Sequence, residues 1–278
     1  RRVLFRSKDP RYGLLKGGYG TYDFDDYSYI EGEIEWCSTE HQCSALQGLE
    51  GCSLVLNVKK YKEAAELVRD QLYLKLYDKE NGRFYQGISA VPDSAWALDC
   101  TTWAGITAFS IINKECSFAC EDAAKSEFLT DGKYIVQSNT QDYYNQRYAS
   151  SRSFSGFKPY SDRDGGYTGS PDIVWTEGTL GYAALALLLG HGEEAKTYVD
   201  ECIALQEIEN GTGGVLYVTA THAQLPWEFH VWESVVSSAW LYLLIKNPDV
   251  LFPKTLRQVY YMARITNIQK DGGEENDE

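Results

Sequence analysis

Four tryptophans are each followed within four residues by a carboxylate: Trp36 by Glu40, Trp96 by Asp99, Trp175 by Glu177 and Trp232 by Glu233. An indole beside a carboxyl keeps water away and so favours the neutral, proton-donating form. A neutral carboxyl paired with an ionised one can protonate a leaving oxygen while its partner activates water or attacks, which is the chemistry of acetal cleavage. Glu177, between Trp175 and Gly178, suits the acid; Asp99, or else Glu40, suits the base. His41 and His230, two of the four histidines, form a second proton-handling set. Imidazoles change charge near neutral pH, and a pair of them suits proton transfer at a carbon beside a carbonyl, as in sugar epimerases and isomerases. Trp36, Trp96, Trp103, Trp175, Trp227, Trp232 and Tyr19 offer faces on which a sugar ring can stack, and Glu228 adds a polar contact. Taken singly, each acid also reads as a residue of a helix's first turn, where the macrodipole is worth about 0.3–1 kcal/mol. Recurrence beside four tryptophans argues for a shared cleft.

Such a cleft needs a scaffold that gathers four distant segments. Each couple runs into an apolar stretch with scattered Ala, Gly or Ser: residues 45–56, 103–112, 180–189 and 235–245. A helix apolar on nearly all sides must be surrounded by protein. Between these stretches lie helices with one charged face, 61–77 and 193–206, and a weaker case at 119–128. Asn81-Gly82 and Asn210-Gly211 then signal tight turns into short strands. Thr39 with Gln42 has capping-box spacing, and Thr176 can cap in the same way before Glu177. Repeats of this length mean stacked helical hairpins. Burying one helix set inside another gives an all-α fold, an α/α toroid with short β-hairpin turns, whose inner helices aim their free N–H groups at one mouth. One domain over residues 1–269 is expected, followed by an acidic, solvated tail at 270–278. An open solenoid is the alternative, though its repeats are usually shorter and more regular.

Composition narrows the ligand. Lys and Arg number 26 against 40 Asp and Glu, a formal charge of −14, which excludes the basic stripes that nucleic acid requires. Aromatics make up 14% of the chain, with 21 tyrosines, and suit a neutral polyhydroxylated partner. The most apolar runs, 182–189 and 235–245, fall short of the roughly 18 residues of a membrane span. Residues 1–16 are basic without an apolar run, so no signal peptide is read there. The seven cysteines include no CxxC pair, the acids no DDxxD run, and Asp23–Asp26 lacks EF-hand spacing, so neither metal nor cofactor is expected. Dinucleotide, P-loop and nucleophile-elbow glycine motifs are absent as well.

The segments Ser38-Thr39-Glu40-His41-Gln42, Ala97-Leu98-Asp99-Cys100-Thr101-Thr102-Trp103, Val174-Trp175-Thr176-Glu177-Gly178-Thr179, and Phe229-His230-Val231 with Ser237-Ser238-Ala239-Trp240 resemble, in order, the SLEHN, ALDxQTW, VWxEGT and HVxxTAW patterns of the six-hairpin, (α/α)6-toroid glycosidase-like proteins. The resemblance covers residues 35–245. Gln42 stands where the pattern has Asn, and Cys100-Thr101 departs from the run after the Asp. About four hairpins can be counted here, so either two are degenerate or N-terminal hairpins are missing. The resemblance implies a glycoside hydrolase acting on an oligosaccharide or polysaccharide, commonly with inversion and hence with carboxyls about 6.5–9.5 Å apart. A glycan substrate would in turn suit a secreted or periplasmic setting, where glycans are usually met. The epimerase reading is one alternative, and a glycan-binding protein without turnover is the other.

Overall fold

A computed structural model of the chain describes residues 8–23, 25–132, 148–163, 172–224 and 227–252. Among them are seven α-helices: α1 (Thr39–Leu56), α2 (Lys59–Leu76), α3 (Leu98–Ile111), α4 (Lys114–Phe128), α5 (Thr176–Leu189), α6 (Gly192–Gln206) and α7 (Val235–Lys246). Two-residue links close α1–α2, α3–α4 and α5–α6 into hairpins, and the sequence of each link explains the stop. Asn57 and Gly190 take left-handed backbone after α1 and α5. The Asn113 side chain accepts the Glu115 N–H at 2.9 Å to start α4.

The apolar helices form an inner row in which α3 packs between α1 and α5, and α5 between α3 and α7. The charged-faced helices α2, α4 and α6 lie behind their own hairpin partners. The row curves: Trp103 on α3 donates its indole N–H to Ser44 on α1 at 3.2 Å and meets Trp240 on α7 edge-on at 5.6 Å. From Thr176 to Ala186, α5 is buried apart from Glu177, as its all-round apolarity requires. The two ends of the row differ from expectation. Val55 on α1 and Val235 on α7 are 80% and 86% exposed, because each of these helices has an inner neighbour on one side only among the described residues. Strand content also exceeds the expected turns, with thirteen short strands in six small antiparallel sheets among the described residues. The tail at 270–278 lies outside the described residues.

Those strands answer a hydrogen-bonding need. The first N–H groups of a helix have no partner inside it. After each hairpin the chain returns to the start of its own inner helix and supplies a carbonyl there. Thr39 N–H donates to Gln86 O at 3.0 Å, Leu98 N–H to Pro159 O at 3.0 Å, and Thr176 N–H to Tyr217 O at 3.0 Å. Thr39 and Thr176 are therefore clasps and not caps. Their buried hydroxyls donate to Tyr85 O and, at 2.6 Å, to Leu216 O. Ser38 caps α1 by accepting the His41 N–H at 3.4 Å, and α5 has no side-chain cap. Gln42, in place of a capping-box role, ties in the N-terminal segment: its Oε1 accepts Leu15 N–H at 2.7 Å and its Nε2 donates to Leu15 O at 2.9 Å. The Thr176 hydroxyl also lies 2.8 Å from the Ser237 hydroxyl on α7. Thr176→Val keeps the shape but leaves buried polar atoms without partners, and is expected to lower unfolding stability by about 1–3 kcal/mol in urea titration.

Candidate active site

The return pattern fixes the position of every candidate acid. In α1, α3 and α5 the residue that donates to the return strand is the first of the helix, and the acid is the second: Glu40, Asp99 and Glu177. Three carboxyls thus occupy equivalent positions at the starts of three consecutive inner helices. The second residue of α7 is Val236, so the fourth unit carries no acid in this register. Glu233 points elsewhere, its carboxylate taking the Thr212 N–H and hydroxyl. Distance from the tryptophan, which varies among the four couples, is the weaker guide; register against the helix start is constant.

A cleft of about 490 Å³ opens beside these helix starts. Glu40, Asp99 and His41 line it, with Trp36 and Trp175 as aromatic walls. Gln86, Pro159, Tyr160 and Tyr217 come from the return segments, and Asp93 and Phe229 complete the rim. Close packing seats both indoles: a Cβ on Gly87 would lie 2.4 Å from the Trp36 ring, and one on Gly178 would lie 2.3 Å from the Trp175 ring. No Lys or Arg lines the cleft among the described residues.

The electrostatics follow from crowding three acids without a cation. Burial, then Asp99, pushes Glu40 up to about 7, even though its side chain is open to the mouth. Burial, then Asp99 and Glu40, likewise pushes Glu177 up to about 7. Asp99 is also raised by burial, but it accepts the Cys100 N–H at 2.7 Å, which favours its ionised form. Tyr217 is pushed up to about 12 by burial and by Glu177, so Glu177 stands close to the cleft although it is not part of the lining.

The remaining candidates are placed as follows. Trp232 stacks on Tyr217 at 6.4 Å and lies 5.1 Å from the His230 ring. His230 is buried and off the cleft lining, so the two histidines do not face each other across the cleft. Trp96 is buried with the Arg83 guanidinium 4.1 Å over its ring and that of Arg163 at 4.9 Å, which leaves its faces to cations. Trp103 lies deeper on α3, between Ser44 and Trp240. Tyr19 is exposed on the strand Gly18–Tyr22 and donates to Glu31 at 2.8 Å. The side chains of Trp227 and Glu228 lie outside the described residues. Sequence reasoning missed Gln86, Asp93 and Tyr217. A signal existed for Asp93: Pro92-Asp93-Ser94 reads as a turn, and Asp93 Oδ1 accepts the Ala95 N–H at 3.0 Å.

Glu121, His191 and Glu194 offer ligand atoms within 4.8 Å of one another. The Lys125 ammonium already bridges both carboxylates, at 3.4 and 3.0 Å, and His191 Nδ1 is 2.6 Å from Glu121. That cluster is balanced as an ion network. All seven cysteines are free thiols.

The raised carboxyls carry a stability signature. A folded-state pKa above the unfolded value means that the folded protein binds more protons between the two, so stability falls as pH rises through that interval. For Glu177 the interval runs from 4.5 to about 7. Glu177→Gln is therefore expected to be neutral at pH 4 and to stabilise the protein by on the order of 1–2 kcal/mol at pH 8. Thermal melts at both pH values check this.

No protein-family model matches the chain, and no curated protein matches it. Among solved structures, one named "Glycosidase Wild Type" is similar, with 12% sequence identity and a TM-score of 0.48. The likeness covers 84% of this chain and 56% of that one, so this chain spans just over half the length of that structure. No helix among the described residues is long and apolar enough to cross a membrane.

Proposed function

We propose that the chain is a glycoside hydrolase acting on an oligosaccharide or polysaccharide, built on hairpins of an α/α toroid within one domain over residues 1–269. The observation that carries this reading is the convergence of Glu40, Asp99 and Glu177, each the second residue of an inner helix, at one aromatic-walled cleft without a compensating cation. Two carboxyls pushed up to about 7 beside a third that accepts a backbone N–H give the pairing of proton donor and acceptor that acetal cleavage uses. Asp99 is the base: burial raises its pKa, and the Cys100 N–H at 2.7 Å works against that by holding charge on it. The proton comes from Glu177, which burial, Asp99 and Glu40 together keep protonated up to about pH 7. In the forward step that proton passes to the glycosidic oxygen as its bond to the anomeric carbon breaks, while Asp99 takes a proton from the water whose oxygen bonds to that carbon. Trp36 and Trp175 hold the ring against the acids.

A glycan panel incubated with wild type, Asp99→Asn and Glu177→Gln tests the assignment. New reducing ends from wild type, lost in both variants, support it. Turnover unchanged in both variants removes the acid and base. Binding without new reducing ends in wild type supports the non-catalytic glycan-binding alternative, and isomerised sugar with no bond cleaved supports the epimerase.

A further inference from the structure

The strands Gly18–Tyr22 and Tyr29–Ile34 pair as a two-stranded hairpin that sits apart from the inner helix row. Four of its residues are large exposed aromatics: Tyr19, Tyr22, Tyr27 and Tyr29, between 56% and 77% exposed. Three of these rings, those of Tyr19, Tyr22 and Tyr29, are held in place despite their exposure. Tyr22 faces Tyr29 across the strands, with the rings edge-on at 5.5 Å. Tyr29 lies across Gly20, which has φ +80°; a Cβ there would meet the Tyr29 hydroxyl at 1.9 Å, so the irregular register at this point exists only with glycine. The Tyr19 hydroxyl is anchored to Glu31. An aromatic surface already ordered before binding loses little freedom when a ligand arrives.

Charge selects the ligand class. The segment from residue 18 to residue 34 holds five carboxylates and no Lys, Arg or His; Glu33 is paired with Lys16 just before it and Glu31 accepts the Tyr19 hydroxyl, so the excess charge comes from Asp23, Asp25 and Asp26. Nucleic acid and anionic lipid are repelled by it. A neutral chain with apolar ring faces and many hydroxyls fits, stacking on tyrosine and donating to carboxylate. Position gives the direction: the base of the hairpin is closed by the Gly17 N–H to Ile34 O bond at 2.9 Å, and two residues beyond the end of that strand the chain reaches Trp36 in the cleft wall. We propose that this tyrosine hairpin is a second carbohydrate-binding surface, continuous with the cleft through Trp36, that holds the distal residues of a long neutral glycan. Its ligand class rests on the glycosidase reading of the cleft.

The test is calorimetric titration of the full chain with disaccharides and hexasaccharides of the gluco, manno and xylo series. Wild type is expected to bind a hexasaccharide more tightly than the matching disaccharide. The double variant Tyr22→Ala/Tyr29→Ala is expected to lose roughly 10-fold in hexasaccharide affinity with disaccharide affinity unchanged. Tyr29→Phe, which keeps the ring, is expected to bind as wild type. Equal hexasaccharide affinity in the double variant overturns the inference, as does a parallel loss on both lengths, or a changed oligomeric state in sedimentation with binding intact. Asp99→Asn separates the two readings. If it turns over substrate like wild type while the double variant still loses the long glycan, the cleft assignment fails and the hairpin stands. No binding of any series by wild type removes both.

Discussion

Asp99→Asn is expected to lower glycan turnover by roughly 10³-fold, the middle of the range for removing a positioned acid or base. The substitution is nearly isosteric, and an Asn Oδ1 can still accept the Cys100 N–H that Asp99 holds at 2.7 Å. What disappears is the charge, and with it the capacity to take a proton. Folding should be retained, because Asp99 is half-buried with a raised pKa and its ionised form contributes no buried ion pair. The same change has a second readout. Asp99 is one of the groups that raise Glu40 and Glu177, though burial is the larger cause for both. In wild type, activity should fall as pH rises above about 7, where the proton donors are lost. In Asp99→Asn the residual activity should lose its alkaline limb at a lower pH, since one source of repulsion is gone. Steady-state rates between pH 4 and 9 measure both effects. A rate within a few-fold of wild type, or an alkaline limb that does not move, would remove Asp99 from the mechanism.

The parts of this architecture that depend on periodicity were readable in the chain. The alternation of all-apolar with one-sided helices gives the inner and outer sets, because a helix without a polar face has to be enclosed. The acids at residues 40, 99 and 177 were readable for a related reason: first-turn carboxylates have a local sequence signature. Other features depend on contacts between segments far apart in sequence, and these were hidden. Trp96 has the same composition around it as Trp175, yet its ring is taken by Arg83 and Arg163. Nothing local to Trp96 encodes those partners. Gln86 and Tyr217 line the cleft because their backbone carbonyls catch helix starts 47 and 41 residues earlier in the chain, and a backbone acceptor leaves no mark on residue type. Glu233 was misleading in the opposite way. It follows a tryptophan as the others do, but it stands two residues before α7 and not inside its first turn.

Arg83 should prove the most sensitive single position for stability, and the reason bears on Asp99. Its side chain is 2% exposed and its guanidinium serves several partners at once. Nη1 donates to Ala95 O and Nη2 to Ser94 O, both at 2.8 Å; Nε lies 3.5 Å from Asp78; and the plane covers Trp96. The Ser94 and Ala95 carbonyls sit just before the residues that start α3, so the arginine fixes the approach of the chain to Asp99. Arg83→Met fills similar volume but leaves two carbonyls and a buried carboxylate without their donor. Breaking a buried pair from one side costs about 3–5 kcal/mol. The lower end is expected here, about 3 kcal/mol, because Asp78 keeps the Asn81 side-chain amide at 2.9 Å and the N–H groups of Glu80 and Asn81. Arg83→Lys should recover little, since a single ammonium cannot reach both carbonyls and lie flat on Trp96. Asp78→Asn keeps an oxygen for the Glu80 and Asn81 N–H groups but loses the acceptor of the Asn81 amide and leaves the Arg83 charge unpaired; it should still lose less than Arg83→Met, because the Ser94 and Ala95 carbonyls keep their donor. Urea unfolding of the three variants gives the order. If Arg83→Met unfolds within 1 kcal/mol of wild type (about fivefold in the equilibrium), the guanidinium is not what holds the start of α3, and the Trp96 faces are free for another role.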